Sequence, residues 1–124
     1  MILLTVDEII EIHNTLTLKT GGSNGLRDKG LLESAVYSAI SGFADEEAYP
    51  TIEEKSARLM YAITNNHPFV DGNKRIGVLV MLVTLRLNGT KINYSQKELI
   101  ELSLDVAGGI KGYNDILNFI ISHK

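Results

Sequence analysis

The chain contains no cysteine among its 124 residues. This excludes a disulfide framework, a thiolate metal site and a cysteine nucleophile. Basic charge is not in excess: 12 Lys and Arg against 15 Asp and Glu leave a formal charge of −3. That balance gives no electrostatic footprint for wrapping DNA or RNA, and a direct nucleic-acid role is disfavoured. No secretory signal is expected, because the apolar Met1 to Val6 is followed by Asp7 and Glu8 instead of opening on basic residues and continuing as a long apolar stretch. The longest apolar run, Ile76 to Leu87, falls short of the roughly 20 residues a membrane span needs, and Arg86 lies inside it. A cytoplasmic protein is expected. The phosphate-loop pattern ending in Gly-Lys-Ser/Thr is missing, as are the catalytic-loop and Asp-Phe-Gly signatures of ordinary protein kinases. His13 and His123 have no carboxylate or second histidine at a metal-binding spacing, and Pro68 keeps His67 and Asp71 from aligning on a helix.

What remains is a chain with 44% hydrophobic residues, enough to bury one core, and one domain spanning residues 1–124 is expected. Thr5 with Glu8, Thr51 with Glu54, and Ser95 with Glu98 each have capping-box spacing and each precede an apolar pattern of helical period. They predict helices over about Val6 to Lys19, Ile52 to Asn65, and from Ser95 to the Gly108-Gly109 break. Gly21 to Gly25 is a turn-rich break, after which Asp28 can cap a helix that ends at Gly42. Phe43 to Pro50 is acidic and reads as an exposed connection without regular structure. A helix from about Asn73 to Asn88 carries apolar residues on every face and should be surrounded by the others, with Gly89 as its stop. Thr90 to Tyr94 is short and β-leaning, and a last helix covers about Tyr113 to Ser122. The expected architecture is all-α, a compact bundle of about six helices around a central apolar helix.

The chemistry is concentrated in His67-Pro68-Phe69-Val70-Asp71-Gly72-Asn73-Lys74-Arg75, between the end of one helix and the start of the apolar one. A helix N-terminus exposes unpaired N–H groups and about half a positive charge, so it attracts anions. Gly72 lets the backbone turn tightly next to a ligand. Lys74 and Arg75 stand where the helix dipole opposes cations by about 0.3 to 1 kcal/mol each unless something negative is bound. Asp71 is either a helix cap or a ligand for Mg²⁺, which takes one or two carboxylates beside phosphate oxygens and water. Its place among phosphate-binding groups favours the metal. Asn73 can share in capping or hold a phosphate oxygen. His67 is suited to act as base, since an imidazole can take a hydroxyl proton near pH 7. Pro68 stiffens the loop and Phe69 plugs it into the core.

This segment resembles the Fic/Doc family, whose signature is similar to His-x-Phe-x-Asp/Glu-Gly-Asn-Gly/Lys-Arg followed by a helix. The Gly21-Gly22 break and the Arg27 to Glu33 start of the second helix extend the resemblance over nearly the whole chain, toward the Doc (death on curing) branch. The resemblance implies a Fic-like helical bundle. Members with glycine after the asparagine are mostly adenylyltransferases and usually carry another arginine three residues past the motif's arginine; Lys74 and Val78 stand at those positions here. Both departures look like Doc. For that branch the resemblance implies reversed nucleotide binding and transfer of the γ-phosphoryl group of ATP to a threonine of elongation factor Tu, halting translation. It implies His67 as base, Asp71 on Mg²⁺, and Gly72, Asn73, Lys74 and Arg75 around the phosphates. It further implies a toxin held by a separate antitoxin of the prevent-host-death type, whose C-terminal segment folds as a helix into a groove near the site. AMP transfer at the same site and a catalytically silent binding module are the competing readings. Doc proteins can carry an arginine shortly before the histidine, where this chain has Asn65 and Asn66; Arg27 is the candidate to replace it. In the Fic family a flap in the region of Phe43 to Pro50 aligns the target chain by main-chain pairing.

Overall fold

The computed structural model describes residues 1–23 and 25–124, so Asn24, part of the expected turn-rich break, lies outside it. Six helices follow in order: α1 (Val6–Thr20), α2 (Lys29–Ile40), α3 (Ile52–Asn66), α4 (Asn73–Leu87), α5 (Gln96–Ala107) and α6 (Tyr113–Ser122). All three capping boxes form. The Thr5, Thr51 and Ser95 hydroxyls accept from the third residue of α1, α3 and α5, and Glu8, Glu54 and Glu98 accept in return from the cap N–H. Asp28 caps α2 through the Leu31 N–H at 3.2 Å. Each such cap is worth about 1 kcal/mol and fixes where its helix begins.

Two cores share α3 and α4. On one side Ile9, Leu32, Ala35, Ile63, Phe69, Ile76 and Val80 join α1, α2 and the motif loop. On the other, Met60, Met81, Leu85, Leu102, Val106, Ile116 and Ile120 join α5 and α6. The all-α bundle is as the sequence implies, but α4 shares the centre with α3, which packs against α2, α4, α5 and α6. Val78, Leu79, Leu82 and Val83 on α4 are only partly buried and line open grooves. An all-round apolar helix therefore reflects two covered faces and one face lining a groove.

Phe43 to Pro50 is not irregular throughout, contrary to expectation. Gly42–Phe43 (β1) pairs antiparallel with Glu46–Glu47 (β2) around Ala44 and Asp45, both at positive φ. This is the geometry of a two-residue primed hairpin turn, usually marked by Asn-Gly or Gly-Gly, so Ala44-Asp45 gave no sequence signal. Lys55 ties the hairpin to α3: only 2% exposed, its ammonium donates to the Glu47 carboxylate at 2.9 Å and to the Tyr49 carbonyl. Thr90 to Tyr94 pairs with no strand among the described residues and runs as a loop, with Ile92 buried and the Asn93 N–H donating to the His123 carbonyl at 2.8 Å.

The end of α6 is fastened to the start of α5. His123 donates from Nδ1 to the Phe119 carbonyl and from Nε2 to the Glu98 carboxylate, each at 2.7 Å. The hydrogen bond from His123, helped by those from Ser95, pulls the Glu98 carboxyl down to about 2 from its ordinary 4.5. The same bond to Glu98, then that to Phe119, raises His123 above its ordinary 6.5. Glu98 thus contributes stability above pH 4.5 that is lost as pH falls toward 2, while His123 contributes below pH 6.5 and loses it as pH rises through its raised value. His123→Ala will lower the melting temperature most between those ordinary values, with the difference from wild type shrinking on both sides. Thermal melts across the pH range check this; a difference independent of pH contradicts it.

Candidate functional site

The motif loop begins where α3 ends. His67 is the C-cap residue, in the left-handed region at φ 51 and ψ 55, with its side chain exposed. Such a conformation is unusual for a residue with a Cβ and persists only where the surroundings hold it. Here the segment before α2 holds it. The Arg27 and Asp28 N–H groups both donate to the Pro68 carbonyl, at 2.8 and 3.0 Å, and the Val70 N–H donates to the Gly25 carbonyl at 2.9 Å. Arg27 adds its guanidinium, with Nε donating to the His67 carbonyl at 2.7 Å and Nη2 to the Asn66 carbonyl at 3.1 Å. The residue considered as a substitute phosphate contact is thus a strut beneath the histidine's backbone. Asn65 and Asn66 turn back onto the helices, donating to the Tyr61 and Leu31 carbonyls.

Phe69 is buried and plugs the loop into the core, as its type implied. The Asn73 amide brackets it: Oδ1 accepts from the Phe69 N–H and Nδ2 donates to the Phe69 carbonyl, both at 3.0 Å. In this state Asn73 shapes the loop. Asp71 is exposed, and its Oδ1 accepts from the adjacent Gly72 N–H at 2.8 Å, so it caps no N–H of the α4 first turn. Its Oδ2 lies 2.7 Å from where a Cβ on Gly22 would sit, and Gly22 has φ +97. A Cβ at that position would displace the carboxylate from where it stands.

Among the described residues no side chain hydrogen-bonds an N–H of the first turn of α4. Gly72 is its cap residue, without a side chain to offer, and the first turn carries no acid. The Asn73, Lys74 and Arg75 N–H groups meet no acceptor among the described residues, since the first helical bond is Ile76 N–H to the Gly72 carbonyl. Lys74 and Arg75 project from this turn into solvent, with Arg75 Nη1 donating to the Thr20 hydroxyl at 3.0 Å. His67, Asp71, Gly72, Asn73, Lys74 and Arg75 together line one open groove of about 310 Å³, to which Ala107 at the end of α5 also contributes. A second, more apolar groove of about 390 Å³ adjoins it and shares Lys74 and Arg75. All six residues read from the sequence are brought together. Sequence reading missed Gly22, Thr20, Ala107 and above all His13, which packs under the loop. Its position four residues after Ile9, on the apolar stripe of α1, was the signal for burial.

These features define a class: a helical protein built around one open helix start, with cations, a carboxylate and an exposed histidine facing an anion seat. The model described as the Fic/DOC family matches residues 3–85, which include the whole motif. The chain is also similar to the Toxin Doc of Mycolicibacterium smegmatis, 36% identical over 88 residues that cover 68% of each chain. It is 30% identical over 106 residues to the Protein kinase doc of Escherichia phage P1, covering 86% of this chain and 82% of that protein. The chain belongs to the Fic/DOC family.

Gly22→Ala will push the Asp71 carboxylate aside. Its expected effect is a changed environment for the Gly72 N–H, which donates to that carboxylate at 2.8 Å. Gly21→Ala is the control, because Gly21 has φ +80 but open space around its Cβ position, so it brings similar backbone strain without the collision. Amide NMR spectra of both variants check the contact; a Gly72 resonance that Gly22→Ala moves no more than Gly21→Ala does contradicts it.

Proposed function

We propose that this protein is a Doc-type toxin, a protein kinase on the Fic fold that transfers the γ-phosphoryl group of ATP to a threonine or serine hydroxyl of elongation factor Tu and so inhibits translation. One Fic/Doc domain over residues 1–124, acting in the cytoplasm, carries the activity. The observation that supports this most is the uncapped start of α4, which places free N–H groups, Lys74 and Arg75 in one groove with the exposed His67. The relative called a protein kinase, and Lys74 and Val78 where AMP-transferring members carry glycine and arginine, favour phosphoryl over AMP transfer.

In this reading His67 accepts the proton of the target hydroxyl as its oxygen bonds to the γ-phosphorus and the bond from that phosphorus to the bridging oxygen of ADP breaks. Free N–H groups at the α4 start, with Lys74 and Arg75, bind and neutralise the phosphate oxygens, so catalysis is positioning plus electrostatic stabilisation. Asp71 fits a Mg²⁺ ligand, because its Oδ2 has no hydrogen-bond donor among the described residues and the residue lines the same groove. When bound, Mg²⁺ offsets charge on the phosphates. Asn73 keeps the loop in register through Phe69. The adjoining apolar groove, with Leu16, Val78, Leu82 and Leu99 on its walls and Lys74 and Arg75 at its rim, suits an amphipathic antitoxin helix of the prevent-host-death type that covers the anion seat.

Intact-mass spectrometry of elongation factor Tu after incubation with the protein, ATP and Mg²⁺ tests the reading. A gain of about 80 Da that is absent with His67→Ala is the expected result, whereas a gain of about 329 Da establishes AMP transfer instead. No gain of either kind overturns both the target and the reaction.

A further inference from the structure

His13 is the one buried histidine, 1% exposed, and nothing in the reaction above uses it. Its ring lies flat against Phe69, with centroids 3.8 Å apart and planes tilted by 8°. Nε2 is 2.8 Å from the Asp71 carbonyl oxygen, and the Cβ position of Gly72 is 3.5 Å from the same nitrogen. Nδ1 is buried with no partner. A carbonyl oxygen can only accept, so the bond requires a proton on Nε2.

The peptide joining Asp71 to Gly72 is trans and planar, so its C=O and N–H point in opposite directions. Holding the carbonyl inward on His13 therefore turns the Gly72 N–H outward, where it meets Asp71 Oδ1 at 2.8 Å. The only local support for this orientation is that bond to the exposed Asp71 side chain. A flip of that peptide plane reverses φ of residue 72, and glycine takes φ +79 about as readily as a negative value. The glycine that permits the turn also permits the flip, and a flip would aim a carbonyl oxygen into the seat meant for phosphate.

We propose that His13 is a positioning residue for the transfer reaction: through its Nε2–H bond to the Asp71 carbonyl it locks the 71–72 peptide so that the Gly72 N–H and the Asp71 carboxylate face the phosphate groove. The proposal rests on the phosphotransfer reading for its kinetic test but not for its spectroscopic one. His13→Phe keeps the ring stack and removes the donor, while His13→Gln keeps a side-chain N–H of similar reach. His13→Phe will lower kcat by about 10- to 100-fold with KM for the protein target within about threefold, and His13→Gln will restore most of it, as for outer partners that orient a site. A folded His13→Phe with wild-type kcat, or a His13→Gln as impaired as His13→Phe, overturns the proposal.

Amide NMR separates this from a failure of the phosphotransfer reading. The Gly72 resonance of the wild type will move on titration with inorganic pyrophosphate, and that of His13→Phe will not, whether or not any transfer activity is found. Long-range ¹H–¹⁵N spectra of the wild type add a test free of substitutions: His13 protonated on Nε2 supports the lock, and protonation on Nδ1 alone overturns it.

Discussion

Among the described residues the first three N–H groups of α4 have no acceptor, and the rest of the molecule is arranged around keeping them that way. Leaving helix-terminal donors unpaired has a cost, which α1, α3 and α5 avoid with reciprocal Ser/Thr and Glu caps and α2 with Asp28. At α4 the residue able to cap, Asp71, bonds instead to the neighbouring Gly72 N–H. Lys74 and Arg75 then add positive charge at the positive end of the helix dipole. Each of these choices disfavours the empty state and favours the state with a polyanion bound.

An open helix start is useful only if it stays in place, and the fold supplies that in layers. α4 is anchored against α3 by a core on each side. The loop between them is then pinned at both ends, by Arg27 on the carbonyls of Asn66 and His67 and by His13 on that of Asp71, with Asn73 bracing Phe69 in the middle. None of these three need touch a ligand. They convert a loop that contains glycine and a left-handed histidine into a rigid frame, so that the exposed His67, Asp71, Lys74 and Arg75 share one groove.

Much of this was legible in the sequence because it is written in local spacing. Three capping boxes and the Asp28 cap marked the helix starts, and His67 to Arg75 marked the site. The hairpin of β1 and β2 was not legible, since Ala44-Asp45 lacks the residues that normally announce a primed turn and its anchor, Lys55, reads as a surface residue of α3. The supports of the loop were hidden for a related reason. His13 and Arg27 act on backbone carbonyls 58 and 40 residues away, and a carbonyl carries no side-chain identity for a sequence pattern to register. The apolar face of α4 was misjudged as wholly covered because a groove wall and a core wall have the same composition.

Hydrogen exchange at the start of α4 addresses the central claim most directly. In the free protein the amides of Asn73, Lys74 and Arg75 will exchange fast while the cap-bonded third-residue amides of Glu8, Glu54 and Glu98 are protected, and Mg·ATP will slow the three α4 amides, together with Gly72, and leave the cap-bonded ones unchanged. Protection of the α4 start without nucleotide, or nucleotide-induced protection confined to some other part of the molecule, would contradict the account.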